Sequence, residues 1–376
     1  MVPITYRCWV EVSRRQLAEN FHAIRTAVGP GVEVMPVVKA DAYRHGAVEV
    51  ARVLAHEGAR WLAVSNVEEG VTLRQGGVTT QILVMGDFLP FERPGLIDYD
   101  LTPAIHSLGQ LTDYDRMARA VQRTLPYHLK IDTGMGRLGL LPAPEHIIEA
   151  IRACTHARFD GLMTHFASAA NFESPQTQGQ IAAYESLRAA LGAAGVSPHW
   201  RHLSSTIPVA YGRREAWGNM VRPGHAIFGY VSPARGPAPA PALAVRPALS
   251  WKARILEVKT LPVGALVGYG GMFRCERPSR IAVLAVGYAD GMNHRLSSKG
   301  KVIAGGRLAP IAGAVSMDLT SIDVTDCPPL SSGDAVTLLG HEGAVSLDAQ
   351  QIARMAGTIS YGVLCGIGQR VKRVYF

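Results

Sequence analysis

The stretch Met35-Pro36-Val37-Val38-Lys39-Ala40-Asp41-Ala42-Tyr43-Arg44-His45-Gly46 decides how the chain is read. It is a short apolar run that ends abruptly in a lysine. Apolar on both faces, it reads as a buried strand of a parallel sheet. A lysine at the mouth of such a strand is out of place for packing. Burial there disfavours the ammonium form, and a neutral lysine can attack an aldehyde. The competing reading is a strand-end lysine that snorkels to water. The rest of the chain decides between them.

Downstream, short apolar runs alternate with helical segments. Candidate strands are 34–38, 61–65, 82–85, 101–105, 127–131, 160–165, 200–204 and 221–228. Between them lie amphipathic stretches such as 13–28, with Leu17, Phe21, Ile24 and Val28 on one face and a Ser13/Gln16 capping pattern at its start. Eight strand-then-helix units predict a (β/α)8 TIM-like barrel. A doubly wound open sheet would place a Gly-rich turn after its first strand, where this chain has Lys39. After Tyr230 the pattern changes. Residues 232–247 are dense in Pro and Ala and read as a linker. Short strands follow at 251–258, 280–286, 301–304, 308–312, 320–324, 335–339 and 370–375, with one helix at 347–355. The expected organisation is a barrel domain over 1–235 and a C-terminal β domain over 236–376, to which residues 4–12 contribute an N-terminal strand.

The chain has 376 residues, 48% hydrophobic and 18% charged, which fits a globular protein with a large core. No apolar run reaches the roughly 18 residues of a membrane span, so no membrane association is expected. The N-terminus carries Arg7 and Glu11 and lacks an apolar leader, which predicts a cytoplasmic location. The five cysteines are scattered without CxxC spacing, so neither a disulfide framework nor a metal site is expected. The net charge of +8 is spread along the chain without basic runs, which argues against nucleic acid as a partner.

Barrel active sites collect at the C-terminal ends of the strands, with phosphate often bound after the seventh and eighth. The unusual polar residues fall there. Lys39 ends the first expected strand. Lys130, Asp132 and Arg137 close the fifth, His165 the sixth, and Ser204 and Ser205 the seventh. Arg222 and Gly224 lie in the eighth.

These residues sit in a series of motifs: Val38–Tyr43, Lys130-Ile131-Asp132-Thr133-Gly134-Met135-Gly136-Arg137, Met220-Val221-Arg222-Pro223-Gly224, Val267-Gly268-Tyr269-Gly270, Val286-Gly287-Tyr288-Ala289-Asp290-Gly291 and Ser316-Met317-Asp318. In this order, and over nearly the whole chain, the sequence resembles the alanine racemase family. The resemblance implies a barrel plus β domain, pyridoxal 5'-phosphate (PLP) as cofactor and alanine as substrate. It implies a head-to-tail homodimer with composite sites. Lys39 would hold PLP covalently and act as one base, and Tyr269 as the other, on the opposite face. His165 would connect Tyr269 to Arg222, and Arg222 would meet the pyridine nitrogen. Tyr43, Ser204 or Ser205, Gly224, His225 and Tyr361 would bind the phosphate. Arg137, Met317, Asp318 and Tyr288 would meet substrate, and Lys130 matches a lysine that some members carry as a carbamate. The implied role is supply of D-alanine for peptidoglycan.

Three segments depart from the family pattern. Arg44 stands where glycine is usual, Ser204-Ser205 replaces an Asn-Ser pair, and Asn293-His294 replaces more usual aromatic and proline residues. Two other readings remain at this stage: a serine or broad-specificity racemase, and a non-catalytic PLP carrier. The carrier reading does not account for Tyr269.

Overall fold

The alternating runs close into a parallel barrel. The computed structural model describes residues 6–141 and 143–376. The first strand, β1, is Cys8–Val12, so part of the expected 4–12 strand lies outside the described residues. The barrel strands are β2 (Glu33–Val34), β3 (Trp61–Val64), β4 (Gln81–Val84), β5 (Thr102–Ile105), β6 (Leu125–Lys130), β7 (Ala157–Met163), β8 (Trp200–His202) and β9 (Met220–Val221). Strands β3 to β8 pair in sequence order, and β2 pairs with β9 in parallel. Backbone bonds close both seams. The Val38 N–H donates to Ala63 O at 2.8 Å, and the Arg222 N–H donates to Ser204 O at 2.9 Å.

The barrel is filled, as side-chain packing requires. Met35, Val37, Trp61, Ala63, Leu83, Ala104, Met163 and Met220 form one buried cluster. Strand alternation places His128 and Lys130 on one face of β6 and Tyr127 on the other. The Tyr127 ring meets Tyr114 of the outer helix Leu108–Ala120 with centroids 6.4 Å apart. The first helix, Arg14–Val28, buries Leu17, Phe21, Ile24 and Val28, the face read from the sequence. Its first turn is capped by Ser13 Oγ, which accepts from the Gln16 N–H at 3.2 Å.

The expected strand 221–228 ends at Val221. Pro223 has no N–H to continue a ladder. The chain turns instead, with the Ile227 N–H donating to Gly224 O and the Phe228 N–H to His225 O. Arg222 and Gly224 therefore lie just past the strand rather than within it.

The second compact unit comprises residues 247–376 with 1–16 and 43–46, and the first comprises 17–42 and 47–246. The long strand β10 (Leu249–Leu261) organises the second unit. It pairs with β1 and with the strands Ser279–Leu284 and Ala335–Glu342. β1 lies between β10 and the last strand, Lys372–Tyr375, antiparallel to one and parallel to the other. A second short helix, Ser360–Cys365, follows the expected one and carries Tyr361.

One buried polar side chain fastens the first helix to the barrel. Asn20 Nδ2 donates to Ile227 O and Arg246 O, and its Oδ1 accepts from the Arg246 N–H, at 2.9–3.0 Å. An Asn20→Ala change strands all three backbone groups, each expensive to leave unpaired. Denaturant unfolding should show a loss of about 2–4 kcal/mol.

Candidate active site

The backbone after Lys39 is left-handed. Ala40, Asp41, Ala42, Tyr43 and Arg44 have φ of 54°, 54°, 52°, 53° and 66°. L-residues pay about 1–2 kcal/mol each for this conformation, so the turn persists only where its surroundings enforce it. Glu69 is one such restraint. Its carboxylate accepts from the Ala40 N–H at 2.6 Å and from the Ser65 N–H at 2.7 Å, tying the turn to the end of β3. Asp41 Oδ1 accepts from the Ala47 N–H at 2.8 Å. Arg44, the departure from glycine, carries the largest φ of the five and donates from Nε to Cys365 O at 3.3 Å. Glycine would adopt that φ without strain. Lys39, at the head of the turn, is half-buried.

Arg222 is 2% exposed and has no carboxylate partner among the described residues. Strand-end carbonyls take its charge instead. Nη1 donates to His202 O (2.6 Å) and reaches His202 Nδ1 (2.8 Å). Nη2 donates to Thr164 O (2.7 Å) and Leu203 O (3.1 Å) and lies 3.4 Å from His165 Nδ1. Among the described residues the Nε–H has no protein acceptor. Burial lowers its pKa only to about 10, so the group stays cationic at neutral pH. Burial and the charge of Arg222 hold His165 down to about 3, with Arg137, Lys130 and Lys39 adding to the effect. The imidazole is neutral and ringed by cations.

Lys130 is buried and donates to Leu138 O. Burial, then Arg137 and Arg222, lower its pKa to about 8, against a weaker opposing effect of Asp132. Asp132 itself organises the following loop. Its Oδ1 accepts from the N–H groups of Gly134, Met135 and Gly136, and its Oδ2 from that of Arg137, at 2.8–3.1 Å. Burial works against its charge, but these donors together hold its pKa below the ordinary value. The exposed Arg137 is placed by this loop.

The two serines are not equivalent. Ser204 Oγ donates to Ala216 O at 2.7 Å and is fully buried. Ser205 is half-buried, and its hydroxyl has no protein partner among the described residues. Gly224 and His225 follow in the buried turn, with the His225 ring stacked 5.0 Å from Tyr230.

In the β unit, Tyr43 and Tyr361 approach with ring centroids 6.0 Å apart. Tyr269 is 77% exposed and sits between Gly268 and Gly270, both at positive φ. The Tyr288 N–H donates to Ser316 O and the Ala289 N–H to Met317 O, so Tyr288, Met317 and Asp318 share one surface. Arg370 braces it, with bonds to Asp290 at 2.7 and 3.0 Å and to Asp318 at 2.7 Å.

The sequence reading missed Glu69, His128 and His202. Their signal was present as polar residues within apolar runs: His128 lies between Tyr127 and Leu129, and His202 before Leu203. Glu69 stands three residues after Asn66, whose side chain caps the Glu69 N–H at 2.9 Å, a pattern that reads as plain helix capping.

A filled (β/α)8 barrel with a cation-rich mouth, carried with a β-rich unit, is a barrel enzyme scaffold suited to an anionic ligand. Comparison with known proteins makes it specific. The family profile for the alanine racemase N-terminal domain matches residues 12–233, and that for the C-terminal domain matches 248–375. The alanine racemase of Symbiobacterium thermophilum is 40% identical over 98% of this chain and 96% of its own length. The solved alanine racemase of Clostridium difficile superposes with a TM-score of 0.93 at 32% identity, over 99% of this chain and 96% of that one. The alanine racemase of Bartonella henselae, solved with covalently bound pyridoxal phosphate, gives 0.87 at 26% identity, over 99% of this chain and 100% of that one. The chain belongs to the alanine racemase family.

Two changes test the local framework. Glu69→Ala leaves two backbone N–H groups without their acceptor and should cost about 1–3 kcal/mol in urea unfolding. Asp132→Asn removes the acceptor for the Arg137 N–H. Because the folded pKa of Asp132 is lowered, its stabilisation is full above the unfolded value of about 3.9 and fades as pH falls through the folded one. The Asn variant should therefore be less stable by about 1–2 kcal/mol at pH 7, with the gap narrowing below about pH 4 in a pH series of unfolding curves.

Proposed function

We propose that this chain interconverts L-alanine and D-alanine with PLP as cofactor. The observation that carries the proposal is the unmatched charge at the barrel mouth. Lys39, Lys130, Arg137 and Arg222 all bear on His165. Asp132 is engaged by backbone donors. Among the described residues the Arg222 Nε–H and the Ser205 hydroxyl lack protein acceptors. An anionic phosphate and a ring nitrogen acceptor are what such a set fits. Bound PLP would supply an electron sink that acidifies the substrate Cα–H.

The residues then divide the work. Lys39 holds the cofactor and takes or returns a proton on one face. Tyr269 does so on the other face, from the partner subunit of a homodimer. Support comes from its exposure and its glycine frame, since a tyrosine so placed has little to pack on in its own subunit. Arg222 donates to the ring nitrogen and cannot protonate it fully, having no acidic proton at neutral pH. His165 links Arg222 to Tyr269. Ser205, rather than Ser204, joins Tyr43, Gly224, His225 and Tyr361 around the phosphate, because the Ser204 hydroxyl is committed to Ala216 O. Arg137 receives the substrate carboxylate, and Tyr288, Met317 and Asp318 line its approach. Lys130, with its pKa lowered to about 8, has a larger neutral fraction than an ordinary lysine and can react with carbon dioxide. The resulting carbamate would pair with Arg137. The barrel domain (1–235) carries the cofactor, and the β domain (236–376, with the strand Cys8–Val12) supplies Tyr269. The proposed setting is the cytoplasm, and the product serves peptidoglycan, on family grounds.

Chiral chromatography of the PLP-loaded protein with L-alanine should show conversion to an equal mixture, with L-serine much slower. Faster serine turnover would change the substrate, and no turnover of either would remove the proposal. Tyr269→Phe should cut racemisation by about 10²–10⁴-fold and leave the cofactor absorbance in place. Lys39→Ala should abolish covalent cofactor, read by mass spectrometry after borohydride treatment.

A further inference from the structure

We propose that His128 is a positioning residue: through His202 it fixes the orientation of the Arg222 guanidinium. His128 Nδ1 lies 2.8 Å from His202 Nε2, and His202 Nδ1 lies 2.8 Å from Arg222 Nη1. All three side chains are buried, with relative exposures of 0%, 0% and 2%.

The proton order in this row is forced. Arginine donates and never accepts, so His202 Nδ1 must be the bare nitrogen. A neutral imidazole has only one such nitrogen, so His202 carries its proton on Nε2 and donates to His128. His128 Nδ1 then accepts, and its proton sits on Nε2. That atom is buried and has no hydrogen-bond partner among the described residues. Adding a proton to either ring is opposed by burial and then by Arg222. The row is thus a chain of neutral acceptors ending on a cation. Its far end is built for one ring: Gly161 faces His128, and a Cβ at 161 would lie 2.5 Å from His128 ring atoms. Trp61 backs the ring at 5.3 Å.

Without the acceptor at 128, nothing holds the His202 proton on Nε2. A His202 tautomer with the proton on Nδ1 turns a donor toward Arg222 Nη1, which loses that acceptor. The guanidinium then reorients, and with it the Nε–H. The effect on the cofactor rests on the proposed function, whereas the proton order does not.

The test has two levels. In the wild-type protein labelled with ¹⁵N-histidine, long-range ¹H–¹⁵N spectra, assigned with single-histidine variants, should place the proton of both His128 and His202 on Nε2. A proton on His202 Nδ1 would overturn the proposal whether or not the chain racemises alanine. The second level compares His128→Asn, whose Oδ1 can replace Nδ1 as acceptor, with the apolar His128→Leu. The Leu variant should shift the absorption spectrum of bound PLP and lower kcat at least tenfold with little change in KM. The Asn variant should recover most of both. Equal behaviour of the two variants would overturn the proposal. Should the Leu variant not fold, Gly161→Ala, which displaces the ring, should reproduce its spectral shift; an unchanged spectrum would overturn it too.

Discussion

A guanidinium buried inside the barrel without a carboxylate is the constraint around which the mouth is arranged. Removing such a charge from water is costly unless hydrogen bonds replace the hydration. The C-terminal ends of parallel strands provide carbonyls where the ladder stops, and Arg222 takes those of Thr164, His202 and Leu203. The cation and the barrel end therefore satisfy each other. The same charge then acts on its neighbours. It adds to burial in lowering the pKa of His128, His165 and His202, so a layer of neutral imidazoles surrounds one permanent cation.

Strain is the second constraint. Five successive left-handed residues are unfavourable for any L-sequence, and only one type of residue, glycine, avoids the penalty. The chain uses none there. Fixed acceptors hold the turn instead: Glu69 on the Ala40 N–H, Asp41 on the Ala47 N–H, and Tyr43 O against His45 Nδ1. The consequence is that the lysine heading the turn leaves the strand in one direction. Flexible glycines would make the turn easier to form and would let Lys39 wander. Arg44 fits this logic. It gives up the ease of glycine and ties the end of the turn to Cys365 O, while its own carbonyl accepts from Arg373 Nε.

Much of this was legible in the sequence, for identifiable reasons. The barrel strands are apolar runs bounded by amphipathic helices, and that periodicity is local. The buried face Leu17, Phe21, Ile24 and Val28 followed from spacing alone. The eighth strand was read too long because Ala226, Ile227 and Phe228 are apolar, and burial in a turn looks the same as burial in a strand. Pro223 was the overlooked stop. The left-handed turn left no trace, since it contains no glycine until Gly46. Glu69, His128 and His202 act over long sequence separations, and a pairing such as His128 with His202 exists only once β6 and β8 flank β7. The choice between Ser204 and Ser205 likewise needed a third residue, Ala216, that no motif includes.

The mouth also poses a problem of charge balance. Lys39, Lys130, Arg137 and Arg222 act on one imidazole, and at short range in a partly buried site like charges repel by several kcal/mol. The protein's own carboxylate there, Asp132, is fully engaged by backbone donors and offers little relief beyond the loop it holds. Relief has two routes, an anionic ligand or the discharge of one cation. An arginine cannot lose its proton near neutral pH, so discharge falls on a lysine, and burial with Arg137 and Arg222 brings the pKa of Lys130 down to about 8. A carbamate there would go further and reverse the sign of the group beside Arg137. The depressed pKa and the proposed modification are thus two responses to one electrostatic field. On Lys130 that field comes from Arg137 and then Arg222, added to burial itself, and the barrel end makes the burial of Arg222 tolerable.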